Sequence, residues 1–342
     1  MRFLTLLIAA FFAIIGTVHA RTFTDSAGRK VELPDTVNSV LAAGPPASVL
    51  IYTVAPEKLA GWVREPGAKD KEYLLKAVAD LPTYGRLTGK GGTANIEAAL
   101  AAKPDFILDV GTISDTYISL ADKVQEQTGI PYILIDGSFD KTADVFKLMG
   151  ELLGTEERAQ QLADYATKTI DGLNTKLGAI APENRPAVYY GRGGDGLETG
   201  MDGSINLEIL NFVGGKNVAA VTGKGGLTNV SLEQVLTWNP QIILGSDEKF
   251  VAAVKTDPLW KEVNAVQNGL VFRTPMRPFG WFDTPPSVNR LIGVRWLEQI
   301  LYPDSFEGDL RAETRDFYKL FYQVDLSDAQ VDALLHDAVR AQ

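Results

Sequence analysis

The chain is 342 residues long, 45% hydrophobic and 22% charged, the balance of a globular protein with a substantial core and room for two lobes. Its formal charge of −10 and pI near 4.9 argue against a nucleic-acid binder, which needs a basic face. The absence of cysteine excludes disulfides and a thiol-linked lipid anchor, so an exported form must hold together by burial alone.

Residues 1–20 read as a cleavable signal peptide. Arg2 supplies a positive start, FLTLLIAAFFAIIG an apolar run, and VHA ending at Ala20 a small-residue cleavage site. The run is short for a bilayer-spanning helix, and the leader predicts export to a bacterial periplasm. An N-terminal lobe is expected over 21–150, where the apolar runs NSVLAAG, LAGWV, DFILDVG and YILIDG predict strands. They alternate with helical segments near 46–55, 70–80, 95–103, 115–128 and 141–153. Residues 151–182 are expected to carry an inter-lobe backbone helix, because Leu162, Ala166, Ile170, Leu173, Leu177 and Ile180 recur at helical spacing. Thr155 is its candidate N-cap, Pro182 lies just past its end, and its length is roughly 40 Å at about 1.5 Å per residue. A C-terminal lobe is expected over 183–342, with strands AVYYG, QIILGS and LVFRTP and helical segments near 204–213, 231–238, 258–264 and 285–301. The alternation predicts an α/β fold of two Rossmann-like lobes with parallel sheets, joined by one long α-helix. Ligands of such sheets bind beyond the carboxyl ends of the strands.

The pentapeptide TGKGG occurs at 88–92 and again at 222–226. Neither copy is a nucleotide-binding P-loop: Gly91 and Gly225 replace the hydroxyl residue after the lysine, and Tyr84 and Val218 stand where the leading glycine belongs. The residues after each copy are more informative. NIEAALAAKPDFIL (95–108) and SLEQVLTWNPQIIL (231–244) align Glu97 with Glu233, Leu100 with Leu236, Pro104 with Pro240 and Leu108 with Leu244. Each reads as a short helix, capped by Asn95 or Ser231, that stops at a proline before a buried strand. A helix-stop-strand unit at similar places in two halves predicts two related lobes.

GRGGDG (191–196) formally fits a dinucleotide fingerprint, but the polar, turn-rich LETGMDGS comes next in place of a helix. It reads better as a loop at a cleft mouth, with Arg192 supplying a charge. Histidine is limited to His19 in the leader and His336 near the end, which argues against an imidazole-built zinc or manganese site and against a serine hydrolase triad. The segment RTPMRPFGWFDTPPSVNRLIGVRWLEQILYPDSF (273–306) is the densest in chemistry. Asp283 or Thr284 is expected to cap a helix opened by Pro285 and Pro286, with Leu291, Val294, Leu297 and Leu301 as its buried stripe. Arg277 and Arg290 can hold an anion while Trp281 and Phe282 offer flat apolar contact. The alternative is that Trp281 is core and Arg290 pairs with a nearby acid.

The leader, RTFTDSAGRKVELPDTVNSVLAAGPPAS, the paired lobe motifs and the single inter-lobe helix together resemble the helical-backbone substrate-binding proteins. These are periplasmic components of ABC importers for ferric siderophores, haem and cobalamin. WFDTPPSVNRLIGVRWL looks most like a subgroup associated with iron complexes or with molybdate and related oxyanions. The resemblance covers essentially the whole mature chain. It implies no catalysis and no cofactor, but a receptor, expected to be monomeric, that passes a small-molecule metal complex to an inner-membrane permease dimer. It also implies that Glu97 and Glu233, one per lobe, dock onto arginines of that permease. The family has no fixed ligand residues to transfer, so Tyr84, Arg86, Arg192, Arg277, Trp281 and Arg290 are placed at the ligand from their own positions. An anionic, partly aromatic ferric-siderophore-type chelate suits such a set. The alternatives are a molybdate- or tungstate-like oxyanion, held by Gly-turn N–H groups and one or two arginines, and cobalamin. A small polar pocket favours the oxyanion and a broad aromatic cleft the chelate. From another class, a periplasmic hydrolase would use carboxylates such as Asp195 and Asp202.

Overall fold

The computed structural model describes residues 20–88, 96–178, 180–305 and 308–340. The expected leader, most of the first TGKGG copy and Asn95 lie outside the described residues. No helix among the described residues is long and apolar enough to cross a membrane.

The chain enters through an antiparallel hairpin of β1 (Ala20–Thr24) and β2 (Lys30–Pro34). The first lobe is built on three parallel strands: β3 (Val40–Ala42), β4 (Phe106–Gly111) and β5 (Tyr132–Asp136), with β4 central. Its helices of more than one turn are α1 (Pro45–Val54), α2 (Ile96–Ala102), α3 (Asp115–Thr128) and α4 (Thr142–Leu153), and the segment expected near 70–80 forms two single turns at Ala68–Lys71 and Lys76–Ala79. Along β4 the side chains alternate between two cores, Phe106, Leu108 and Val110 on one face and Ile107 on the other. Both faces are therefore covered, which is why the strand reads as an apolar run interrupted by a single buried carboxylate, Asp109.

Helix α5 (Glu156–Leu177) comes next, 22 residues and thus about 33 Å long. It buries Ala159, Leu162, Ala163, Ala166, Ile170 and Leu173. Thr155 takes the N-cap position without a side-chain cap bond, and the helix ends before Ile180, which shortens the expected 40 Å. Where α4 and α5 cross, a Cβ on Gly150 would stand 2.5 Å from the Ala159 side chain, so glycine permits the approach.

The second lobe carries β6 (Ala187–Gly191), β7 (Glu198–Gly200), α6 (Glu208–Phe212), β8 (Lys216–Asn217) and β9 (Leu227–Asn229). Then come α7 (Leu232–Trp238), β10 (Ile242–Gly245), α8 (Glu248–Thr256) and β11 (Val271–Arg273). Its parallel sheet runs β11-β10-β6-β8, while β7 and β9 pair antiparallel beside it. The chain closes with α9 (Arg290–Leu301), α10 (Leu310–Phe317) and α11 (Asp328–Leu335).

The lobes repeat each other in register as well as in motif. Val40 opposes Phe106 and Ile107 opposes Tyr132 in the first; Val188 opposes Ile242 and Ile243 opposes Val271 in the second. The residues before the aligned prolines, Lys103 and Asn239, both take left-handed backbone, at φ 46° and 45°. Ser231 caps α7 with a reciprocal box to Gln234.

Three expectations need correction. LAGWV is not a strand: Leu59 and Trp62 make single bridges to different partners, Val40 and Thr83. The helix expected from 285 begins at Arg290, because the Asn289 side chain donates to the Gly280 and Pro285 carbonyls and holds the preceding residues as a loop. Asp283 does not cap it, being buried among other donors. Finally, α8 and α10 form where the apolar spacing predicts no helix.

The last of these helices return to the first lobe. Tyr52 and Trp62 pack with Phe279 and Tyr322 from the other end of the chain, at centroid distances of 5.5–6.2 Å. Tyr52 Oη donates to Tyr322 O at 2.7 Å and accepts from Leu75 N. Arg158 on α5 donates to Thr53 O and to Leu320 O, so the long helix grips both sides of this seam.

Candidate functional site

A cleft of about 430 Å³ opens between the lobes, at the carboxyl ends of β4 and β5. The first lobe contributes Thr112, Ile113, Asp136 and Ser138; the second contributes Gly203, Ser204, Ile205, Glu208 and Asn211. The lining is hydroxyl, amide and carboxylate with two isoleucines, and it contains no aromatic ring among the described residues.

Both carboxylates in the wall already have cations. Asp136 contacts Lys141 Nζ and accepts from Ser138 N at 3.0 Å and Ser138 Oγ at 2.6 Å. Burial works against ionisation there, but Lys141 and Ser138 outweigh it and hold the Asp136 carboxyl below its usual range. Glu208 Oε2 accepts from Arg290 Nη1 at 2.6 Å, and its Oε1 accepts from Phe139 N at 3.0 Å. The wall is thus close to neutral, with Thr112 and Asn211 presenting further polar groups.

Of the first TGKGG copy only Thr88 is among the described residues, and it is tied to the first lobe's sheet. Leu87 N and Thr88 N both donate to Ala43 O, and Thr88 Oγ1 donates to the buried Asp109 at 3.1 Å. A Cβ on Gly44 would lie 2.6 Å from that hydroxyl, so only glycine lets the loop seat. In the second copy, Asp202 N donates to Gly223 O and Gly225 N donates back to Asp202 O, with Gly225 and Gly226 at φ 66° and 67°. The second copy thus braces the loop that brings Gly203 and Ser204 to the cleft wall.

None of the eight residues expected at the ligand or the permease is among those lining this cleft, and three of the six ligand candidates are held by partners within the protein. Trp281 is fully buried, and its indole N–H donates to Tyr318 Oη at 3.1 Å, so it is core. Arg290 is 2% exposed and bonded to Gly137 O, to Ser287 O and to Glu208, whose carboxylate stands between it and the cleft. Arg192 contacts Glu198, and its Nε lies 2.8 Å from the buried Asp283 Oδ2 as an ion pair without hydrogen-bond alignment. Asp283 also accepts from Tyr190, Thr284 and Asn206, so this arginine belongs to a structural network beneath the loop.

Arg277 reaches across the lobes to Asp70 at 2.9 Å and remains about a third exposed. Tyr84 is half-buried, its ring so close to Gly61 that a Cβ there would approach within 2.7 Å. Arg86 is half-buried on the same loop. Glu97 and Glu233 are exposed in the first turns of α2 and α7. The carboxyl of Glu233 is held below its usual range by its own backbone N–H and by the Ser231 hydroxyl. Most of the residues that do line the cleft come at or after strand ends, in the sequences DVGTIS, IDGS and MDGSINLE, where the strand-end rule points; their charges are the carboxylates Asp136 and Glu208, with no arginine or ring to mark them.

Residues 60–278 match the periplasmic binding protein family model. The chain is 31% identical to an ABC transporter solute binding protein from Sulfurospirillum deleyianum, with a TM-score of 0.85 over 92% of this chain and 98% of that one. It is 27% identical to molybdate-binding protein MolA from Haemophilus influenzae, over 94% of this chain and 97% of the relative. The structure of MolA bound to molybdate matches with a TM-score of 0.73 at 26% identity, covering 90% of this chain and 99% of MolA. A third relative is the Fe(3+)-citrate-binding protein YfmC of Bacillus subtilis, 27% identical over 59% of this chain and 63% of its own length. With two parallel-sheet lobes on one long helix and a cleft between strand ends, the chain belongs to the periplasmic binding protein family, whose members are substrate-binding proteins of ABC transporters and not enzymes.

Proposed function

We propose that this chain, exported to the periplasm, captures a compact metal-containing anion of the molybdate class and delivers it to an inner-membrane permease docked on Glu97 and Glu233. The observation that carries this reading is the cleft lining, small and polar, with each carboxylate neutralised by its own cation and no ring for an aromatic chelate to stack on. The MolA relative, matched along nearly its whole length, supports the same ligand class. In this reading the metal is cargo, carried inside the ligand.

A larger ligand is favoured by one feature. About 430 Å³ falls within the range of small-molecule clefts, roughly 300–1,000 Å³, which leaves room for a compact ferric chelate such as ferric citrate. The siderophore-type reading loses its aromatic support, since Trp281 packs in the core. Calorimetric titration of the mature protein with molybdate, tungstate and ferric citrate separates the two. One-to-one binding of the oxyanions, with ferric citrate silent, is the expected result. Saturable binding of ferric citrate alone would replace the oxyanion by the chelate. Tryptophan fluorescence is a poor substitute here, because none of the five tryptophans lines the cleft.

A further inference from the structure

Glu208 stands at the junction of the lobes with its carboxylate shared between them. One oxygen accepts the backbone N–H of Phe139 in the first lobe at 3.0 Å; the other accepts Arg290 Nη1 in the second at 2.6 Å. Arg290 is fixed from behind, since its Nη2 donates to Gly137 O at 2.6 Å and the Phe139 ring lies 5.5 Å from its Cζ. A backbone N–H and a guanidinium N–H converging on one point make a cradle for a pair of anionic oxygens. The protein fills that cradle with a carboxylate of its own.

Unlike Arg290, this carboxylate is not sealed. Its side chain is 28% exposed and forms part of the cleft wall, with Asn211 one turn further along α6 lining the same cleft.

We propose that Glu208 is a built-in competitor for the ligand, and that an incoming dianion takes over the Phe139 N–H and the Arg290 guanidinium while the carboxylate turns into the cleft. Glu208 is then the residue that sets the charge threshold of the site. Monoanions gain no more from the two donors than the resident carboxylate does, whereas a dianion gains more from the guanidinium. This deepens the oxyanion reading given above and rests on it. Competition lowers the apparent affinity in proportion to the fraction of time that the donors are free.

The experiment compares wild type, Glu208→Ala and the double variant Glu208→Ala/Arg290→Met by calorimetry and thermal melting, with molybdate, tungstate and sulfate as probes. Glu208→Ala is expected to bind dianions about tenfold tighter than wild type, as removal of a competitor that holds the donors about 90% of the time requires. Its melting temperature should fall in anion-free buffer and recover on adding molybdate, whereas the double variant, with no guanidinium left, shows neither the gain nor the recovery. Should Glu208→Ala not fold, Glu208→Gln keeps the volume without the charge and is expected to gain in the same direction. A folded Glu208 variant that binds every dianion no better than wild type overturns the proposal, even if wild type binds molybdate well. Wild type that ignores all three probes while Glu208→Ala binds them refutes the ligand assignment and leaves the competitor standing.

Discussion

Asp109 is a carboxylate buried within β4, facing hydroxyl and N–H donors. Burial pushes its carboxyl above the usual range, opposed by hydrogen bonds from Thr88, Tyr132 and the Val110 N–H. A carboxyl raised in the folded state stabilises the fold when protonated. That contribution is complete below the unfolded value and is lost as pH rises through the folded one. Asp109→Asn never ionises and can keep both contacts, with Tyr132 Oη turning to accept. Urea melts at about pH 4 and about pH 7 should therefore show the variant gaining on wild type as pH rises. A variant weakest at neutral pH would mean that hydrogen bonds to the ionised form outweigh its burial. Trp281 calls for a different test. Trp281→Phe removes the N–H that Tyr318 accepts and leaves unfilled volume, a loss of about 1–3 kcal/mol in stability. Ligand affinity should stay at the wild-type value, and a fall in affinity without a fall in stability would return Trp281 to the cleft.

The two glutamate-bearing helices are the most legible part of the sequence. Aligning NIEAALAAKPDFIL with SLEQVLTWNPQIIL predicts the paired helix, stop and strand, and the matched left-handed residues Lys103 and Asn239 show that the equivalence extends to the backbone. Apolar periodicity carries those elements because their strands are covered on both faces. It cannot carry α10, whose charged residues dominate a short sequence and whose buried Phe317 packs on Tyr165 far back along the chain. Nor can it rank the arginines, since Arg290 and Arg277 are alike in sequence yet one pairs in the core and the other at the rim. Charge and aromaticity draw the reading toward arginines and tryptophan, while Ser138, Glu208 and Asn211 look unremarkable until the lobes face each other. The docking assignment is testable on its own terms. Glu97→Ala with Glu233→Ala should abolish uptake in cells, because each removes one of two separated charges that a two-fold permease reads. Ligand affinity of the purified double variant should be unchanged, as neither side chain lines the cleft. Normal uptake would remove both residues from the interface.

One long helix joins the lobes, but it does not join them alone. A single hydrophobic core runs from Leu50, Tyr52 and Trp62 through Phe146 and Leu162 to Phe317, Tyr318 and Tyr322, so the chain's end is packed into its beginning. Lobes welded this way should unfold together and shift little on binding, in contrast to lobes hinged on strands. The hydroxyl of Tyr52 offers a way to measure the weld, because it satisfies Tyr322 O on one side and Leu75 N on the other. Tyr52→Phe keeps the tilted and edge-on ring contacts and orphans both backbone groups, at a cost of about 1–3 kcal/mol for each group that water does not reach. The substitution lies in the first lobe, yet the stability it removes belongs to both if they form one cooperative unit. Native-state hydrogen exchange reads the two sheets separately. The expected outcome is an equal loss of protection at Ile107 and Leu108 in β4 and at Ile243 and Leu244 in β10, although β10 belongs to the other lobe's sheet. Protection lost in β4 alone would show that the lobes open independently, and that the shared aromatic core holds them in place without coupling their folding.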